Sequence, residues 1–585
     1  QRVVAQRLAL ARQISGTQGD AASEMVQQAL PHGVRTTVKQ WYTDLQAMVS
    51  EPGVRLPGDK RLAMGGGPWQ GWAMNKAKNP TGAGAIIALL IMAGAIGGGL
   101  LGQPSIGLLV GTGAGTLIAL LLWLRERKAY VTPAQRSALP GVASPHRCGD
   151  MKKHFIAIPL VALVIAGGAF LYFAQGDTAQ LPAGADVGRE PRFTTPRNEF
   201  FPTVNIAEVK PWKAGEKPVA AKGLVVERFA EGLSHPRSLL RLPNGDILTA
   251  ETNSQPRPQT GIVSRVMNFL INKAGAGVPS PDRISLLRDT DGDGKADTKT
   301  VFLSGLYSPY GMALIGDTLY VANTNALMAF PYKEGETKIS DKGRKILNLP
   351  AQAPNMHWTR SLTVGPNGLL YVGVGSNSNI GENGLESEAN RAAVLEVNPK
   401  TGDYRIYASG LRNPVGLAFE PRSGVLWGVV NERDMLGGDL VPDYLTRVEF
   451  GAFYGWPWNY WGGYEDRRVQ PQRPEIREYT KRPDYALGNH VAPLGLSFSK
   501  DAQLGAAYGN GAFVGLHGSW NRKPAAGYKV VFIPFEENGE VGKAKPTDVL
   551  TGFLDAQGSA RGRPVDVTVD AKGALLVADD VGGVV

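Results

Sequence analysis

One phrase recurs along this chain, and its recurrence constrains the fold more than any single motif. It opens with Pro or Thr, then one residue, a small residue and an apolar one; a turn and a short apolar strand follow. PRSLLRLPNGDILTAE (236–251), PYGMALIGDTLYVAN (309–323), TRSLTVGPNGLLYVGVG (359–375), PVGLAFEPRSGVLWGVV (414–430), PLGLSFSKDAQLGAAYGNGAFVGL (493–516) and PVDVTVDAKGALLVAD (564–579) all carry it. In the third copy the turn chemistry is plain: Pro366 sets φ, Asn367 tolerates the left-handed region, and Gly368 enters it without steric cost. The anchors Pro236, Pro309, Thr359, Pro414, Pro493 and Pro564 lie roughly 50–80 residues apart, the period of propeller blades or arrays. Each copy supplies two strands and leaves room for two more, so the expected fold is all-β, a six-bladed β-propeller over 223–585. A β-sandwich would not need the same small residue at the same offset each time. Where inner strands crowd a channel, it is needed.

Composition agrees with a large β domain carrying extra segments. The 585 residues include Gly 74 and Pro 40, are 43% hydrophobic and only 19% charged. The net charge of +10 is spread without a long Lys/Arg run, which argues against nucleic-acid binding. Residues 1–80 read as a polar helical segment of unknown role. Residues 81–102 and 105–124 are uncharged and long enough to span a bilayer, predicting a transmembrane helical hairpin over 81–128. Gly107, Gly111 and Gly115 lie on one face, where they either let helix backbones approach or merely add flexibility. Residues 151–175 predict a third, signal-anchor-like transmembrane helix, and Met151-Lys-Lys resembles a protein start, so 1–150 read as a fused module. Lys76, Lys78, Arg125, Arg127, Lys128, Lys152 and Lys153 flank the spans on one side. By the positive-inside rule the protein is anchored in the inner membrane with its propeller in the periplasm. The one cysteine, Cys148, falls on the other side, so the propeller has no disulfide. Residues 176–222 read as a Pro-rich linker.

The chemistry-bearing residues gather at the anchors. His235, His357 and His490 stand just before inner strands and His517 follows one, which puts imidazoles beside the channel, suited to general-base work. Arg237, Arg360, Arg412 and Arg563 flank the same starts, and Arg522-Lys523 follows His517-Gly-Ser-Trp-Asn. Converging guanidinium groups suit a planar ligand rich in carboxylates, though a rim of salt bridges would use the same residues. DTDGDGKAD places Asp289, Asp291, Asp293 and Asp297 at calcium-loop positions 1, 3, 5 and 9 with Gly294 at the sharp sixth. Thr300 stands where such a loop has its bidentate Glu, so a structural calcium site and a bare solvated turn both fit. FYGWPWNYW (453–461) is either blade core or the wall of a sugar pocket; Trp358, Trp456 and Trp458 are the candidate substrate contacts.

GLRNPVGLAFEP (410–421), HWTRSLTVGPNGLLYVGVGSNSN (357–379), NERD (431–434), FYGWPW (453–458), HGSWNR (517–522) and GRPVDV (562–567) resemble the glucose/sorbosone dehydrogenases over about 220–585. That resemblance implies a propeller using pyrroloquinoline quinone (PQQ) and calcium. It implies His357 as the base toward a substrate hydroxyl, and Arg412 and Asn413 as contacts to the quinone oxygens. Arg563, Arg522, Lys523 and Arg360 become candidate cofactor contacts. A catalytic calcium falls on the backbone carbonyls of Glu432, Arg433, Asp434 and Met435. Two departures, Ser376 in place of an acidic partner for the base and GSWN in place of a lysine, lean toward the sorbosone branch. The expected activity is oxidation of an aldose or sugar aldehyde to lactone or acid, with electrons leaving to a quinone or cytochrome. A calcium-dependent lactonase-type propeller and a non-catalytic sugar- or protein-binding propeller are the alternatives.

Overall fold

The computed structural model describes residues 176–199, 202–256 and 269–585. Each repeat forms a hairpin whose first strand lines the axis. The inner strands are Pro236–Arg241, Pro309–Ile315, Arg360–Val364, Pro414–Phe419, Pro493–Phe498 and Pro564–Val569. The first three sheets have four strands; the fourth and fifth have five, because Val187–Gly188 and Val219–Ala220 pair onto their outer edges. Thus the stretch 176–222, expected as a linker, lies along the outside of two blades.

The propeller is five-bladed, and the expected six blades are corrected. The sixth repeat gives only a two-stranded sheet, Pro564–Val569 with Leu575–Asp579, seated between the inner strands of the fifth and first blades. After it the chain turns back: Val584 bridges to Asp579, and Val585 accepts from Phe229 N and exchanges backbone hydrogen bonds with Ala230. The repeated phrase encodes only the inner two strands, so it cannot count outer ones. Among the described residues no helix is long and apolar enough to cross a membrane; the spans predicted within 81–128 and 151–175, and the segment 1–80, lie outside those residues.

The small residue at the third position has the steric cause expected of it. A Cβ at Gly311 would lie 2.4 Å from Leu362 N, one at Gly416 2.9 Å from Leu494 O, and one at Gly495 2.6 Å from Val565 O. Neighbouring inner strands therefore touch backbone to backbone, and Ala at these positions would force the blades apart. In the hairpin the position holds Asp566, whose carboxylate accepts from Leu239 N at 2.8 Å and ties the hairpin to the first blade. Apolar clusters fill every inter-blade gap, for example Trp427, Leu445, Val514 and Ile533 between the fourth and fifth blades. A separate cluster of Tyr310, Val415, Leu494 and Val565, with Trp358 packed against it, plugs the axis.

Candidate active site

Antiparallel register explains why the interesting residues share one face. Pro236 pairs with Glu251, Pro309 with Asn323, Arg360 with Val374, Pro414 with Val430, Pro493 with Leu516 and Pro564 with Asp579. Residues before an inner strand thus meet residues after the second strand of the same blade. His235, His357, Arg412, His490 and Arg563 come from the first set; Ser376, Asn431–Asp434, His517 and Asp580 come from the second. The other end of the inner strands opens on a cavity of about 980 Å³ lined by Arg241, Val364, Leu496 and Thr568.

His357 Nδ1 lies 2.9 Å from the Ser376 carbonyl and 3.0 Å from its hydroxyl. A carbonyl can only accept, so Nδ1 carries the proton and Nε2 is the basic nitrogen. The Ser376 hydroxyl gives its own proton to Ser378 O at 2.6 Å. A serine therefore orients this imidazole where a carboxylate would otherwise do so. Gly375 makes room between them: a Cβ there would meet Asn413 Oδ1 at 2.3 Å and His357 Cβ at 2.5 Å.

Arg412 uses all its donors inside the protein. Nε gives to Asn379 O, Nη1 to Asn431 O and Glu432 O, and Nη2 to Asn379 Oδ1 and Asp434 Oδ2, over 2.6–3.3 Å. Its guanidinium is thus fully engaged by Asn379 and the 431–434 segment. Asp434 Oδ1 accepts from Asn521 Nδ2 at 2.8 Å and faces His490 Nδ1 at 3.7 Å. Burial alone would raise the Asp434 carboxyl, but Arg412, then His490, hold it far below the usual range. Burial likewise disfavours protonated His490, but the Asp434 and Asp443 carboxylates and the Gly437 carbonyl together raise it. Beneath lies Asp443, pushed up to about 7 by burial although Glu432 N and Ala492 N donate to it.

Across the mouth the balance differs. Asp580 accepts from Arg237 Nη1 at 2.6 Å and faces His517 Nε2 at 2.9 Å. Burial pushes its carboxyl up, but His517 and Arg237 hold it far down, while burial lowers His517 and His235. Arg237 stacks 5.6 Å from the Trp358 ring, and Arg563 5.6 Å from Tyr528. Here buried polar atoms find no partner among the described residues: Arg563 Nε and Nη2, Arg237 Nε, Asp580 Oδ1, Tyr310 Oη, His235 Nδ1 and, beside His357, Asn413 Oδ1.

Other expected site residues lie apart. Arg360 is fully buried and gives Nη1 and Nη2 to the carbonyls of His357, Thr359 and Pro350 and to Asn355 Oδ1, with Nε unpartnered among the described residues, so it supports His357 from beneath. Arg433 is buried between Glu432 and Asp466. Arg522 gives Nε to Gly438 O at 2.9 Å, and the Lys523 carbonyl accepts from Ala179 N. Trp456 is buried with Nε1 on Asn379 O, whereas Trp458 sits outward against Arg473. The Asp loop follows Arg288, the end of a third strand that starts opposite Glu251, so it lies on the far face. It brings oxygens of Asp289, Asp291 and Asp297 within 4.8 Å of one another; Asp293 instead caps Lys295 N, and Lys572 pairs with Asp289. Asn379, Asn521, Asp580 and Arg468 were not among the residues singled out by sequence. Of these, Asn379 and Asn521 lie inside motifs that were quoted and Asp580 directly follows one, while Arg468 lies outside them all.

The sequence matches the family model described as TrAA12-like over 218–442 and 472–585, more than half of the chain. A pyrroloquinoline quinone-dependent pyranose dehydrogenase of Coprinopsis cinerea is 25% identical over 414 residues, 60% of this chain and 55% of that protein. The chain thus spans about half the length of this curated relative. Among solved structures, the holo form of the pyranose dehydrogenase PQQ domain from Coprinopsis cinerea superposes with a TM-score of 0.51 at 20% identity, covering 65% of this chain and 98% of that one. A calcium structure of family AA12 from Trichoderma reesei gives 0.51 at 20%, covering 63% and 95%. These two establish likeness of fold. With the family match covering both sides of the mouth, the chain belongs to the TrAA12-like family.

Proposed function

We propose that this propeller is a PQQ-dependent sugar oxidoreductase that oxidises an aldose or sugar aldehyde, such as a sorbosone-like substrate, to lactone or acid. The names of its relatives support the reaction class. The observation that carries it is the set of buried, unpartnered donors on Arg563 and Arg237 beside the channel plug. Buried N–H groups without acceptors cost about 1–3 kcal/mol each, so they mark where an acceptor-rich ligand belongs. PQQ, planar and tricarboxylate, meets that requirement, with Arg563 and Arg237 toward its carboxylates and Asn413 and Tyr310 toward its polar edge.

Bound PQQ supplies the two-electron hydride acceptor. His357 Nε2 takes the proton of the substrate hydroxyl, and Ser376 holds the ring so that the resulting imidazolium keeps its Nδ1 hydrogen bonds. Arg412 contributes fixed positive charge and holds Asn379 and Asp434 in place. The half-buried face of Trp358 is the aromatic surface offered to a pyranose, and Trp456 lies buried behind Asn379. Calcium fits the Asp289–Asp297 loop as a structural ion. The carbonyls of Glu432, Asp434 and Met435 fit it poorly, since guanidinium groups already donate to all three. The onward acceptor in this reading is a quinone or cytochrome. A domain without cysteine after Cys148 also suits a periplasmic location.

The test is dye reduction by the full chain reconstituted with PQQ, across aldoses and sugar aldehydes. Turnover should appear with the wild type and fall about 100-fold or more in His357→Ala, with PQQ binding retained. No turnover, and no change in PQQ absorption on mixing, would overturn the assignment.

A further inference from the structure

Two backbone carbonyls beside Arg412, those of Asp434 and Met435, converge on one point, and a guanidinium nitrogen holds that point. Arg468 Nη1 donates to Asp434 O at 2.9 Å and to Met435 O at 3.0 Å. Its other two nitrogens grip a single carboxylate: Nε lies 2.9 Å from Asp466 Oδ1 and Nη2 2.7 Å from Oδ2. Asp466 is itself buried and accepts from Arg433 Nη1 at 3.3 Å. Met435 sits at a φ of 70°, a conformation that costs a non-glycine residue about 1–2 kcal/mol. The bonds to Arg468 and, through Glu199 N, to the strap help hold it there.

The two carbonyls on Nη1 are hard oxygen donors of the kind calcium prefers, and the Asp466 carboxylate lies beyond them, on the Nε–Nη2 edge of the same guanidinium. A divalent ion cannot share the two carbonyls with Arg468. Nη1 would have to leave both carbonyls, and the ion would stand within a few ångströms of a charge of its own sign. We propose that Arg468 is a built-in cation: it supplies, as a side chain, the positive charge at the Asp434–Met435 carbonyls and keeps divalent metal out. Arg468 is then a positioning residue, acting on the mouth through Asp434 and its bond to Arg412. Its consequence for PQQ rests on the function proposed above; its exclusion of metal does not.

The experiment uses the full chain with Asp289→Asn, Asp291→Asn and Asp297→Asn, which removes the three carboxylates of the other candidate cation site. Bound calcium is counted by mass spectrometry after dialysis against millimolar calcium chloride, without PQQ. With Arg468 intact no stoichiometric calcium should be retained. Arg468→Gln frees Asp466 and both carbonyls and should gain one ion per chain, and Arg468→Lys should abolish that gain. Stoichiometric calcium with Arg468 intact would overturn the proposal, as would a folded Arg468→Gln variant that gains none. If Arg468→Gln fails to fold, the count with Arg468 intact still decides. In a second arm the wild type is titrated with PQQ in EGTA; the change in absorption should match that in calcium, and its loss in EGTA would also overturn the proposal. Absence of any PQQ signal in either buffer would sink the cofactor reading and leave the metal count standing.

Discussion

The two sides of the mouth use the same residue type in opposite states. On the Arg412 side every guanidinium N–H has an acceptor, and the carboxylate it faces is also held by Asn521. On the Arg563 side the guanidinium is just as buried, yet two of its nitrogens find no acceptor among the described residues. A saturated arginine is part of the wall. Arg563, with two unpartnered nitrogens at the mouth, is where an incoming anion recovers the folding cost, whereas Arg360, with Nε alone unpartnered beneath His357, stays scaffold.

This comparison can be broken by substitution. Arg412→Met should be the most damaging, lowering stability by about 3–5 kcal/mol in chemical denaturation, because it strands the buried Asp434 charge. An effect near zero would mean that the saturated side is not scaffold. Arg563→Met should leave the PQQ-free protein as stable or more so, since it removes unpaired donors rather than pairs. A large fall in its melting temperature would put Arg563 in the wall as well.

A pH experiment sharpens the scaffold side. Asp443 has its folded value pushed up to about 7, above its unfolded range, so the folded state holds the extra proton in between. Its contribution is most favourable below about pH 4 and is lost as pH rises toward and past 7. Relative to Asp443→Asn, the wild type should therefore lose melting temperature over that window; parallel curves would contradict this. The smallest effect should come from Ser376→Ala. The backbone carbonyl still orients His357 Nδ1, so kcat should fall about 2- to 10-fold, the value of one hydrogen bond. A far larger loss would mean that the hydroxyl itself takes part.

Much of the fold was legible because the repeat records steric necessity. The anchors Pro236, Pro309, Pro414, Pro493 and Pro564 are each the first residue of an inner strand, and Thr359 directly precedes the sixth, Arg360. Crowding at Gly311, Gly416 and Gly495 is the reason that the phrase recurs. The blade number was not legible, since outer strands answer to weaker constraints than inner ones, and Val187–Gly188 and Val219–Ala220 come from a stretch whose prolines suggested a linker. At the site, His357 could be singled out by its place just before an inner strand, and Ser376 only through the resemblance to the glucose/sorbosone dehydrogenases. The roles of Arg360 and Arg412 could not be read. A sequence reveals that an arginine lies near the channel, but whether its donors are spent depends on acceptors such as Pro350 O, Asn379 and Glu432 O, brought in by loops of irregular length. Arg468 escaped notice for the same reason, reaching the 431–435 segment from beyond the aromatic run.

The most direct test of the two-sided mouth is a PQQ titration, followed by absorption, of full-length wild type and Arg563→Met, each checked for its PQQ-free melting temperature. Arg563→Met should fold at least as stably and bind PQQ about 10- to 100-fold more weakly, the loss of charge-assisted hydrogen bonds worth about 1.5–3 kcal/mol. An affinity equal to that of the wild type would show that the unpartnered donors are not the anion's seat, and the distinction between wall and binding surface would fall.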